Sequence, residues 1–155
     1  MNRVGAALSV SRIRTDLTAV SKEQVLEEAG RLFASYEGWE PAHITQRLAA
    51  REAVGSTGLG HGVAIPHARL KGLRQAVAAF IRPQMAVAFG APDGKPVSEF
   101  LVLLVPDEAA EEHLQMLAQA AAMFEDRGFR ERLRAETDAA GILRAFLEWP
   151  PERAV

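Results

Sequence analysis

The sequence predicts an α/β or α+β protein with helices packed on a β-sheet. Helical periodicities come before, between and after short apolar runs of strand length. The longest unbroken apolar runs, Ala76–Ile81 and Phe100–Val105, have six residues each, against the ~18 that a membrane span needs. A chain of 155 residues, 48% apolar, suits one domain over 1–155, with its core over about 8–148. A chain near that size can bury roughly 68–70% of its unfolded surface, so it needs neither metal nor disulfide to fold.

Ser21-Lys22-Glu23-Gln24 fits a capping box, in which Ser21 accepts from the backbone of Gln24 and the Gln24 side chain reaches back. Val25, Leu26, Ala29, Leu32 and Phe33 follow at helical spacing, giving a helix over about 21–34. Pro41 can open a second helix, with Ile44, Leu48 and Ala49 as its apolar stripe and Gly55 as its end. Four glycines then fall within Gly55–Gly62, a density that reads as a loop with unusual backbone angles. Val63-Ala64-Ile65 is a short strand stopped by Pro66. Ala76–Ile81 and Gln84–Phe89 read as strands, and Pro92-Asp93-Gly94-Lys95 as a turn. Phe100–Val105, apolar throughout, reads as a central strand covered on both faces. Glu111–Phe124 returns to helical period through Leu114, Leu117, Ala118 and Ala121. Thr137 can cap a last helix carrying Ile142, Leu143, Phe146 and Leu147, stopped by Pro150-Pro151.

Composition excludes several chemistries. With no cysteine, there is no disulfide framework, thiolate metal site, cysteine nucleophile or redox dithiol. A net charge of −2 makes no electrostatic case for nucleic acid. Residues 1–90 hold 11 basic against 7 acidic side chains, and residues 91–155 hold 7 against 13. The split reads first as solvated helix faces, since most acids fall in helical stretches; the alternative reading is a weakly basic face near the middle of the chain that suits an anion. Met1–Val10 lacks the apolar core of a signal peptide. With no spanning segment either, a cytoplasmic protein with no membrane insertion is expected.

The reactive groups left are His43, His61, His67 and His113. His67 is the most constrained, because Pro66 fixes its own φ and pushes Ile65 into extended geometry. A short strand, a proline stop and a histidine at its exit put an imidazole at a strand end beside the glycine loop. Backbone N–H groups there can approach an anion or a second protein closely. A structural loop histidine fits the same spacing equally well. His113 near a helix start reads as surface or as a second imidazole facing His67. Arg51-Glu52 reads as an exposed pair, or Arg51 can hold phosphoryl oxygens beside His67. His61 reads as a loop residue and His43 as helix surface.

Three motif readings fail or stay weak. A phosphate-binding NTPase loop needs a lysine after its glycines, and none follows here. Gly58-x-Gly60-x-Gly62 precedes a strand, where a dinucleotide fingerprint would follow one. A zinc site from His61, His67, His113 and Glu52 has no histidine pair at helical spacing to support it.

The segment Arg51-Glu52-x-x-Gly55-Ser56-Thr57-Gly58-Leu59-Gly60-x-Gly62-Val63-Ala64-Ile65-Pro66-His67 resembles the signature of the fructose/mannitol-type (type 2) IIA components of the bacterial sugar phosphotransferase system. The likeness continues through Ala91-Pro92-Asp93-Gly94-Lys95-Pro96-Val97, Leu103-Leu104-Val105-Pro106 and His113-Leu114-Gln115-Met116-Leu117-Ala118, roughly from Ser21 to Phe146. The resemblance implies a mixed sheet of about five strands with helices on both faces. It implies a phosphocarrier in which His67 accepts a phosphoryl group, through Nε2, from a phosphohistidine on HPr or its nitrogen-branch equivalent. It makes His113 a hydrogen-bond donor to that group, Arg51 a positive charge beside it, and Ser56, Thr57, Gly58, Gly60, Gly62 and Pro66 a phosphoryl or partner-docking loop. No cofactor or metal is implied, because the incoming group is already activated as an N–P bond. Read as a lone IIA domain with a His-Leu-Gln-x-Leu-Ala block, the chain is most similar to the nitrogen-regulatory branch, which relays phosphate as a signal to regulatory partners. The alternatives are a sugar-transport IIA serving a separate IIB component, and an interaction module of the same fold that turns over no phosphate.

Overall fold

The computed structural model describes residues 2–34, 38–108 and 110–150. The chain opens with a short helix α1 (Arg3–Ala7), strand β1 (Ile13–Leu17) and helices α2 (Lys22–Ala34) and α3 (Pro41–Val54). Strands β2 (Gly58–Gly60), β3 (Val63–Ala64), β4 (His67–Leu70), β5 (Val77–Pro83) and β6 (Glu99–Pro106) follow. Helices α4 (Ala110–Glu125), α5 (Arg127–Ala135) and α6 (Ala139–Leu147) close the fold. The sheet has six strands in the order β1-β5-β6-β3-β2, with β4 also paired to β6. Pairing is mixed: β1 runs parallel to β5, β5 antiparallel to β6, and β6 parallel to β3 and β4.

All eight residues of β6 are buried, as its unbroken apolar run predicts. Its side chains alternate between two cores. Phe100, Val102 and Leu104 pack with Val25, Leu26 and Phe33 of α2 and Ile44 and Leu48 of α3. Leu101 and Leu103 pack with Met116, Met123 and Phe124 of α4, Phe129 of α5 and Phe146 of α6. Helices therefore cover both faces. Truncating a side chain as buried as Leu101, 0% exposed, costs about 2–5 kcal/mol.

The sequence of β3 and β4 explains a seam that matters below. Both lie along β6 in one continuous register, Val63 opposite Glu99 and His67 opposite Leu103. Ile65 and Pro66 interrupt them, since proline has no N–H for the ladder. The Ile65 N–H goes instead to the Thr57 carbonyl at 3.0 Å, and the Pro66 carbonyl accepts from Leu103 at 3.0 Å. On the opposite layer, Gly30 lets α3 lie close on α2: a Cβ there would come within 2.6 Å of the Pro41 carbonyl oxygen. That contact sets the position of α3 and of the arginines on its outer side.

Several expectations are corrected. Gln84–Phe89 is not a strand: Pro83 ends β5, and only Val87 bridges, to Val97. The glycine-rich segment is not all loop, because Gly58–Gly60 forms β2. His67 begins a strand and does not sit at the exit of one. Asp138, not Thr137, caps α6, its carboxylate accepting from Gly141 at 2.8 Å. At α2 the Ser21 hydroxyl accepts from the Gln24 N–H at 3.2 Å, as read, while the Gln24 side-chain oxygen accepts from the N–H of Val20 at 2.7 Å, one residue before the cap on which a capping box closes. Gly55 caps α3. Pro151 lies outside the described residues.

Candidate functional site

The seam delivers His67 to the surface. Along β4, Ala68 and Leu70 point into the core, so His67 and Arg69 share the other face. Arg47 and Arg51, one turn apart on α3, face them, since i and i+4 lie on one side of a helix. His113, in the first turns of α4, and Asp107 complete the wall. The resulting cavity is about 450 Å³ and is lined by Arg47, Arg51, His67, Arg69, Asp107 and His113.

Hydrogen bonds decide which nitrogen of His67 is free. Its Nδ1 lies 2.8 Å from the Ile65 carbonyl oxygen. A carbonyl can only accept, so Nδ1 carries the proton and the neutral ring keeps its lone pair on Nε2. Burial lowers the His67 pKa from the usual imidazole value; the Ile65 hydrogen bond raises it, the Arg51 charge lowers it and the Glu52 charge raises it, in falling order of size. The balance holds the ring neutral at physiological pH.

The His113 ring centroid lies 5.6 Å from that of His67, the planes at 66°. Its Nδ1 is 3.1 Å from Nε of Arg69. Its Nε2 is buried with no hydrogen-bond partner among the described residues. Burial lowers the His113 pKa most, followed by the charges on His67, Arg69 and Arg51. Arg51 donates to the carbonyl of Gly55, the cap of its own helix, at 2.9 Å. Among the described residues none of Arg47, Arg51 and Arg69 has a carboxylate within ion-pair distance. Three guanidinium groups thus converge on one cavity, against the single carboxylate of Asp107 in its lining, a field that attracts an anion.

Arg51-Glu52 is not an exposed pair. Glu52 turns inward at 5% exposure and accepts from the Thr57 N–H at 2.9 Å and its hydroxyl at 2.6 Å, with Lys22 at 3.8 Å. Thr57 is therefore a tie between loop and helix. Ser56 donates to the Phe89 carbonyl at 2.8 Å and accepts from the Gly58 N–H at 3.1 Å. Pro66 is buried in the seam.

Gly60 and Gly62 do not line the His67 cavity. With His61 between them they form a run of positive φ (90°, 57° and 76°) that lines a second cleft with Asp93, Lys95, Arg130 and Arg134. His43 lies exposed on α3, as read. No group of three or more metal-ligating side chains occurs among the described residues, and no helix among them is long and apolar enough to cross a membrane. Arg69, Arg47 and Asp107 escaped the sequence reading. Arg69 had a signal, the two-residue strand spacing from His67; Arg47 had its one-turn spacing from Arg51.

Comparison with known proteins gives the fold and site a context. The family model described as "Phosphoenolpyruvate-dependent sugar phosphotransferase system, EIIA 2" matches residues 6–149. A protein named nitrogen regulatory protein from Pseudomonas aeruginosa is 38% identical over 149 residues, covering 96% of this chain and 97% of that protein. The crystal structure of nitrogen regulatory protein IIA-Ntr from Neisseria meningitidis superposes with a TM-score of 0.87 at 43% identity, covering 93% of this chain and 99% of that one. The mannitol IIA protein of Escherichia coli, solved in complex with its phosphorylated IIB partner, shares the fold at a TM-score of 0.74 and 20% identity, over 91% of this chain and 97% of that one.

Proposed function

The chain belongs to the EIIA 2 family of the phosphoenolpyruvate-dependent sugar phosphotransferase system, and we propose that it is a phosphocarrier relay of the nitrogen-regulatory type with His67 as its phosphoryl acceptor. The observation that carries this reading is the 2.8 Å bond from His67 Nδ1 to the Ile65 carbonyl, which leaves the Nε2 lone pair as nucleophile in an arginine-lined cavity.

The donor is a phosphohistidine on an HPr-like carrier or its nitrogen-branch equivalent. Nε2 of His67 attacks phosphorus, the donor's N–P bond breaks, and its electron pair returns to the donor ring. No proton moves at His67, because Nδ1–H stays on the Ile65 carbonyl and that bond strengthens as the ring gains positive charge. The transition state is loose, with charge on the three equatorial oxygens. Arg51 and His113 supply donors already in place for that charge, where they need no reorganisation. The N–P bond brings its own activation, so no nucleotide or metal takes part.

Within this reading the carrier docks on the Ser56–Gly58 segment, which is tied down through Glu52 and the Phe89 carbonyl and presents Ser56 to solvent. Phosphorylation adds roughly −1.5 to −2 charges, by analogy with phosphorylated hydroxyls, and so alters contacts to a downstream regulatory partner. The relay works in the cytoplasm, as one IIA domain.

The test is intact mass after incubation with phosphoenolpyruvate, enzyme I and either HPr or the nitrogen-branch carrier. A single acid-labile phosphoryl group on the wild type and none on His67→Ala is the expected result. No gain with either donor overturns the reading and leaves an interaction module.

A further inference from the structure

We infer that Arg69 is a positioning residue for phosphoryl transfer: by donating its Nε–H to Nδ1 of His113, it holds that ring in the tautomer whose Nε2–H is free to bind the phosphoryl group. The inference rests on the phosphocarrier reading and names a residue that reading does not need.

The argument begins with what arginine cannot do. Its guanidinium has five N–H donors, no acceptor, and does not lose its proton in proteins. A contact of 3.1 Å between Arg69 Nε and His113 Nδ1 therefore exists only while Nδ1 offers a lone pair. The neutral His113 ring must then carry its hydrogen on Nε2. That nitrogen is buried and has no partner among the described residues. A buried donor left unmet is costly, and the ring that carries it lines the cavity that holds His67. A phosphoryl oxygen is the acceptor it lacks.

The same contact resists protonation of His113. A second proton would have to enter at Nδ1, against the guanidinium that occupies it. The groups lining the cavity around the ring are His67 and Arg69 of β4, Arg47 and Arg51 of α3, and Asp107 after β6. Four of these five are cations or imidazoles, so the neutral form is favoured from both β4 and α3. Burial and the neighbouring charges lower the His113 pKa accordingly.

The two histidines are thus set in opposite senses. The Ile65 carbonyl takes the Nδ1 proton of His67 and leaves Nε2 a lone pair. Arg69 takes the Nδ1 lone pair of His113 and leaves Nε2 a proton. One becomes an acceptor of phosphorus, the other a donor to its oxygens. Arg69 itself is held by its place on β4, whose register with β6 puts it opposite Val105. The Arg47 guanidinium reaches the Arg69 carbonyl at 3.5 Å.

Long-range proton–nitrogen NMR of the imidazoles reads the tautomers directly in the unphosphorylated full-length protein. It is paired with single-turnover transfer from the phosphorylated carrier, for wild type, Arg69→Leu and Arg69→Lys. His113 is expected as the Nε2–H form in wild type and as a mixture of tautomers in Arg69→Leu. Transfer to Arg69→Leu slows about tenfold, less than the ~10²–10³ that loss of a donor itself costs. The His113 titration followed in the same spectra moves to higher pH in Arg69→Leu, because the Arg69 charge that lowers it is gone. Arg69→Lys, which keeps a donor, restores the Nε2–H form and most of the rate. An unchanged His113 tautomer in Arg69→Leu overturns the inference, as does a changed tautomer with an unchanged rate. Failure of wild type to accept phosphate overturns the phosphocarrier reading instead, and the tautomer spectra are read without it.

Discussion

Two clefts among the described residues combine arginine with histidine, and they differ in how their arginines are paired. Around His67, the guanidinium groups of Arg47, Arg51 and Arg69 have no carboxylate partner among the described residues. Around His61, Arg134 is already paired with a carboxylate. Glu99, 1% exposed, takes both Arg82 at 2.7 Å and Arg134 at 3.2 Å, and Arg134 also holds the His61 carbonyl. Arg130 donates to the Phe124 carbonyl at 2.7 Å, and Asp93 takes the backbone N–H groups of His61 and Lys95 at 3.3 and 3.1 Å. The second cleft is the larger, about 680 against 450 Å³. Size therefore does not single out the proposed phosphoryl site. What distinguishes it is three guanidinium groups in one cavity with no ion-pair partner among the described residues, charge that can bind an anion.

The sharpest way to break this contrast is to exchange the histidines' fates. His67→Ala is expected to accept no phosphoryl group by intact mass, while His61→Ala accepts as much as wild type. Next come the arginines. Arg51→Leu should slow single-turnover transfer by about 10²–10³, the range for a lost transition-state donor, whereas Arg134→Leu leaves the rate within twofold. Stability should sort the other way. Glu99→Gln removes the carboxylate that two arginines share and should cost about 1–3 kcal/mol in thermal unfolding, with transfer unchanged. That is below the ~3–5 kcal/mol of a fully buried pair, because the Arg134 side chain is 46% exposed.

The smallest effect is the acid dependence. His67 and His113 titrate below the ordinary imidazole value of about 6.5 in the folded protein. Below that value the unfolded chain binds protons that the folded one refuses. The stability they support is therefore present above about pH 6.5 and is lost as pH falls from there through their folded values. The double variant His67→Ala/His113→Ala should show a flatter fall in denaturation midpoint between neutral and mildly acidic buffer. An equally steep fall would place the acid sensitivity elsewhere.

What the sequence made legible follows the range over which each feature is encoded. Phe100–Val105 announces a central strand because every residue is apolar, and the cap at Ser21 and Gln24 because both partners lie within one turn. Strand β1 carried no such mark: Arg14 and Asp16 interrupt its apolar pattern, and Asp16 adopts a φ of 55°. Helix α5 was legible in principle, since Asp126 accepts from the Phe129 N–H at 3.3 Å and Phe129 and Leu133 share one face; two apolar residues made a weak stripe. The glycine run looked like one loop because glycine density reports backbone freedom and not direction. In the fold, its first half ties to α3 through Thr57 and Glu52, while Gly60 and Gly62 turn to the other cleft. Sheet order, and with it the meeting of Arg69 and His113, is tertiary and has no local signal at all.

The proton on His67 is placed by a carbonyl two residues back along its own chain, whereas the state of His113 depends on a residue 44 positions away. The polarity of the first ring is therefore a portable property of an Ile-Pro-His tripeptide laid along a strand. Transplanted onto another parallel edge, that tripeptide would bring a ring with the same nitrogen exposed. Substitutions throughout the helices can drift without switching the nucleophilic atom. The second ring has no such autonomy, and a lineage can retune or silence it by changing a single distant cation.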